Sequence, residues 1–70
     1  MYAEERRRQI ASLTAVEGRV NVTELAQRFD VTAETIRRDL SLLHDEGAVQ
    51  RVHGGAVANQ SYRSAELPLD

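Results

Sequence analysis

The sequence predicts a mainly α domain with a small β-sheet, built as three helices followed by a β-hairpin. Three observations carry that prediction. An apolar stripe at helical spacing, Ile36, Leu40 and Leu43, follows a threonine, Thr32, placed to cap the helix. A shorter periodic segment, Glu24 to Phe29, stops just upstream of that cap. Two β-rich runs, Ala48–His53 and Ala56–Ala58, are joined by Gly54-Gly55, the dipeptide of a tight turn.

The first helix is expected over about Ala3 to Val16, with Ile10 and Leu13 as its core positions. Glu4 and Arg8 form an i, i+4 pair in the favourable orientation, and Arg6-Arg7-Arg8 reads as a solvated face. Gly18 suits the left-handed position that ends a helix. Val20-Asn21-Val22 alternates apolar and polar residues and predicts a minimal strand. Thr23 is then the N-cap of the second helix, whose Leu25 and Phe29 share a face. Asp30-Val31-Thr32 is the turn, with Asp30 in place of the usual glycine because aspartate tolerates left-handed backbone. Thr32 caps the third helix, which should run to about Asp45 or Glu46 and stop at Gly47. Two helices on a short turn followed by a hairpin make a winged helix-turn-helix. That domain is expected over residues 1–58, and residues 59–70 read as a linker towards an absent C-terminal effector-binding domain.

Composition narrows the function. Seventy residues form one small domain, which buries roughly 60% of the surface its unfolded chain exposes. No nucleophile–base pair, phosphate loop or metal cluster can be assembled, so neither an enzyme nor a cofactor is expected. There is no cysteine, and His44 and His53 are too few to suggest a metal site. No apolar run is long enough to span a bilayer and no signal peptide is recognisable, which predicts a cytoplasmic protein without membrane contact. The net charge of −2 lacks the basic footprint of a nucleic-acid binder and favours a protein-interaction module as the rival reading. All nine basic residues are arginine, however, the side chain whose planar fork suits phosphates and guanine edges.

Placement matters more than the total. At about 100° per residue from Ile36, Arg38 lies at about 200°, almost opposite the apolar stripe. Glu34, Thr35 and Ser41 flank it, and Arg37 lies nearer the border. One side of this helix grips a core while the other offers hydroxyls and guanidinium groups to a partner.

With those parts in place, the chain resembles the DNA-binding domain of DeoR-family bacterial transcription repressors. The matching residues are Arg7 to Ile10, Val22-Thr23-Glu24-Leu25-Ala26, Phe29 and Thr35-Ile36-Arg37-Arg38-Asp39-Leu40. Glu46-Gly47 and Arg51-Val52-His53-Gly54-Gly55-Ala56 match the family's wing. Within the family the chain looks similar to repressors of sugar uptake from actinobacteria. The resemblance implies binding to double-stranded operator DNA and control of carbohydrate uptake or catabolism. It also implies a homo-oligomeric full-length protein whose missing C-terminal domain senses a sugar phosphate, and an isolated domain that is mainly monomeric.

Candidate roles follow from residue chemistry. Arg38 can pair bidentately with guanine O6 and N7, the alternative being a surface pair with Glu34 or Asp45. Arg37 either meets a phosphate or braces Asp39 or a neighbouring helix, and Thr35 and Ser41 can touch a base or a phosphate. Asp39 is expected to be a structural partner for an arginine. Thr23 and Thr32 read as N-caps whose helix termini also offer amides to phosphates. In the wing, Arg51 suits a minor-groove contact and His53 either a phosphate or base edge or plain solvent. Gly54 and Gly55 are expected to take the positive φ of the turn and to let backbone approach DNA.

Overall fold

Glu4 and Glu5 fall in the first turn of α1 (Ala3–Glu17), where carboxylates complement the positive end of the helix dipole. The computed structural model describes residues 1–59, and the expected linker lies outside them from residue 60 onwards. Gly18 ends α1 at φ +90°, its amide donating to the Thr14 carbonyl at 2.8 Å. Ile10 is fully buried as expected, but the second buried position is Thr14, and Leu13 only packs at the edge of the core. Thr14 is tolerated there because its hydroxyl donates to the Ile10 carbonyl one turn back, 2.8 Å away.

The strand that follows, β1 (Arg19–Asn21), sits one residue earlier than the alternation suggests, and Val22 opens α2 (Val22–Phe29). Asn21, not Thr23, is the N-cap: its backbone is extended and its Oδ1 accepts from the Glu24 amide at 2.8 Å. Val22 can then turn its side chain into the core, where it is buried. Asp30 closes α2 in the left-handed conformation, φ 57° and ψ 49°, as its substitution for glycine requires. Thr32 caps α3 (Ala33–Asp45), its Oγ1 accepting from the Thr35 amide at 3.1 Å. Gly47, at φ +84°, follows the end of α3, and its amide donates to the His44 carbonyl at 3.0 Å.

The hairpin is shorter than the sequence suggests. β2 (Val49–Val52) and β3 (Gly55–Ala58) are joined by His53-Gly54 alone, and β1 pairs with the other side of β3 in a sheet of order β1-β3-β2. Both pairings are antiparallel, with Val52 opposite Gly55 and Val20 opposite Ala56. Gly54 takes the positive φ of the turn, +80°, but Gly55 does not. Gly55 is glycine for another reason. A Cβ there would lie 2.1 Å from the Val20 carbonyl oxygen and 2.9 Å from the Asn21 Cα, so β1 could not cross it.

Ile36, Leu40 and Leu43 of α3 form the centre of one core with Ile10, Leu25, Val20, Val49 and Ala56. Asp39 is buried in the same helix, only 2% exposed. Its carboxylate accepts two hydrogen bonds from Arg6, from Nε to Oδ2 and from Nη2 to Oδ1 at 3.1 Å. Arg7 lies 3.6 Å from the same carboxylate. The arginine run at the chain start is therefore not simply solvated, because two of its members fasten α1 to α3. The Asp39 hydrogen bond raises the Arg6 pKa above its ordinary value against an opposing effect of burial, so the guanidinium keeps its charge.

Candidate nucleic-acid interface

The core pins one side of α3, and the opposite side is presented outward. Arg37 and Arg38 are exposed. Arg38 makes a loose i, i+4 contact of 3.8 Å with Glu34, both side chains being about three-quarters exposed (74% and 78%). Such a pair constrains little and leaves the guanidinium available. Arg37 has no hydrogen-bond or ion-pair partner among the described residues and does not brace Asp39, whose carboxylate is taken by Arg6 and Arg7. Thr35 is half-buried and its hydroxyl is 3.0 Å from that of Thr32, so the two threonines share a hydrogen bond at the helix start.

Arg51 joins this face from the wing. Its Nη1 donates to Ser41 Oγ at 2.8 Å, and Glu34, Arg37, Arg38, Ser41 and Arg51 line one shallow depression. Three guanidinium groups and one hydroxyl thus meet a single carboxylate, giving a local positive balance on a chain that is net acidic. His53 stands exposed at the turn beside Gly54. Gly55 is buried beneath β1 and does not contribute backbone to an outer surface.

Thr23 is exposed in the first turn of α2, away from the capping position. Two of the first three amides of that helix are already bonded, Val22 to the Gly54 carbonyl at 2.9 Å and Glu24 to Asn21. At the α3 terminus the Thr35 amide is held by Thr32, while the Ala33 and Glu34 amides of the first turn have no carbonyl partner within the helix.

His44, given no role by the sequence, accepts a hydrogen bond at Nδ1 from the Arg51 amide, 3.2 Å away. The signal for it is faint: His44 lies three residues beyond Ser41, hence on the same side of α3. Among the described residues there is no cluster of three or more His, Cys, Asp or Glu side chains arranged for a metal ion. No helix among them is long and apolar enough to cross a membrane.

Three helices, a three-stranded antiparallel sheet and an outward arginine-rich α3 beside a short hairpin define a winged helix-turn-helix domain. The profile of the DeoR-like helix-turn-helix domain matches residues 6–62. The chain belongs to that family, which is one of DNA-binding domains of transcription regulators. It is 51% identical over 45 residues to the L-fucose operon activator of Haemophilus influenzae, an alignment covering 64% of this chain and 18% of that protein. It is 39% identical over 67 residues to the lactose phosphotransferase system repressor of Streptococcus mutans, covering 96% of this chain and 27% of the repressor. The HTH-type transcriptional repressor CsqR of Escherichia coli is 38% identical over 64 residues, covering 84% of this chain and 24% of CsqR. The chain spans about a quarter or less of the length of these relatives. No solved structure matches it.

Proposed function

We propose that this chain reads operator DNA through the outward face of α3 and Arg51, within a cytoplasmic repressor of sugar uptake or catabolism genes. The observation that carries the reading is the convergence of Arg37, Arg38, Ser41 and Arg51 on one open face. Arg38, furthest from the core, reads a guanine edge in the major groove. Arg37 and Arg51 neutralise phosphates, the Ala33 and Glu34 amides receive another, and Thr35 and Ser41 lie within the contact zone. Thr23 and His53, both exposed, lie at the margins of the footprint. The names of the relatives, which refer to fucose and lactose systems, support carbohydrate genes as the target. A C-terminal domain sensing a sugar phosphate and forming the oligomer completes the full-length protein, and the isolated domain is monomeric.

The net charge of −2 favours a second reading, a winged-helix protein-interaction module. Selection from a random duplex library, followed by a salt series on the enriched duplex, separates the two. Operator binding predicts enrichment and an affinity that falls linearly in log–log form with salt, at a slope of roughly −0.9 per phosphate neutralised. A protein-interaction module enriches no sequence.

A further inference from the structure

β2 is an edge strand, so half of its backbone groups face away from β3. In a hairpin with a two-residue turn the closing pair, here Val52 and Gly55, exchanges backbone hydrogen bonds. Alternation then makes Arg51 and Ala56 a non-bonded pair, with the Arg51 amide aimed at the open edge. His44 Nδ1 accepts that amide. The Arg51 side chain follows the other periodicity. It shares the sheet face of Val49 and Ala56, both buried in the core, so its stem runs towards α3 and not outward from the wing. There Ser41 accepts its guanidinium. One side of α3 thus holds the same arginine twice, by the backbone through His44 and by the head through Ser41.

We infer that His44 is a positioning residue for DNA binding, fixing β2 against α3 so that Arg51 acts with Arg37 and Arg38 as one preformed surface. The inference rests on the DNA-binding reading above. Ordering Arg51 before the encounter removes part of the entropic cost of immobilising a long side chain on binding. His44 itself makes no contact with the duplex. The plainer role for the same bond, protection of a free sheet edge, would affect folding but not binding.

The test uses the intact protein and a duplex enriched from a random library by the wild type. Affinities are measured for His44→Ala and His44→Asn, alone and combined with Arg51→Ala, alongside backbone amide exchange at position 51. His44→Ala should weaken binding roughly three- to tenfold, the worth of one net hydrogen bond, and speed exchange of the Arg51 amide. His44→Asn, whose amide oxygen takes the place of Nδ1, should restore binding to within about twofold. In the Arg51→Ala background, His44→Ala should cost nothing further, since it acts only through that side chain. Unchanged affinity in His44→Ala, or a loss that persists without Arg51, overturns the positioning role while leaving operator binding intact. A library that yields no enriched duplex overturns both.

Discussion

Replacing Asp39 by alanine tests how α3 is held at its working angle. The substitution removes the acceptor of two Arg6 hydrogen bonds and the nearby charge facing Arg7. It leaves the Arg6 side chain, 12% exposed, without its counter-charge. Breaking a fully buried pair in this way costs about 3–5 kcal/mol. Arg6 lies near the start of α1 and can partly swing into water, which favours the lower end, about 3 kcal/mol. A domain of this size has a total stability of roughly 4–10 kcal/mol. At 4–8 °C per kcal/mol, the melting temperature should fall by roughly 12–24 °C. Asp39→Asn keeps one acceptor and should lose roughly half as much. Glu34→Ala, which removes the exposed pair with Arg38 on the same helix, serves as the control and should stay within about 2 °C. Thermal melts followed by circular dichroism at 222 nm measure all three. An Asp39→Ala protein melting within about 3 °C of the wild type would refute the claim that this carboxylate fastens α1 to α3.

Other substitutions separate features that look alike in the sequence. Gly55→Ala should destabilise the domain by roughly 2 kcal/mol or more, because the new Cβ meets β1 backbone and not a movable side chain. Gly54→Ala, strained only by its φ of +80°, should cost about 1 kcal/mol, and urea unfolding ranks the two. Asn21→Ala should cost about 1 kcal/mol through loss of the α2 cap, whereas Thr23→Ala should stay within about 0.5 kcal/mol in the same assay. In binding assays with single-base variants of the selected duplex, Arg38→Ala should erase about 1–3 kcal/mol of discrimination at one base pair. Arg37→Ala should instead weaken all duplexes evenly and lower the salt slope by about 1.

The third helix is legible in the sequence because its signals are local and agree. Thr32 caps it, Ile36, Leu40 and Leu43 supply the period, and Gly47 stops it. The start of α2 is misread because Val20-Asn21-Val22 has strand alternation and both Asn21 and Thr23 are good caps. Tertiary structure decides between them: Val22 is drawn into the core, and its amide is met by the Gly54 carbonyl. Asp39 is correctly expected to serve an arginine, but its partner Arg6 lies 33 residues away and no local pattern reports it. The turn dipeptide is misread by one residue because Gly54 and Gly55 are adjacent glycines with different reasons, one a backbone angle and the other the crossing of β1. Of the candidate site, the outward face of α3 follows from helical geometry alone. That Arg51 joins it does not, since this depends on the sheet face chosen by Val49 and on how closely β2 approaches Ser41.

The most direct measurement is an NMR titration that follows the side-chain Nε–H signals of the arginines as the selected duplex is added. The signals of Arg37, Arg38 and Arg51 should shift together and saturate at one stoichiometry, while Arg28, lining a separate groove with Leu13 and Leu25, stays in place. Movement at Arg28 with Arg37, Arg38 and Arg51 unperturbed would place the duplex on another face and contradict the assignment.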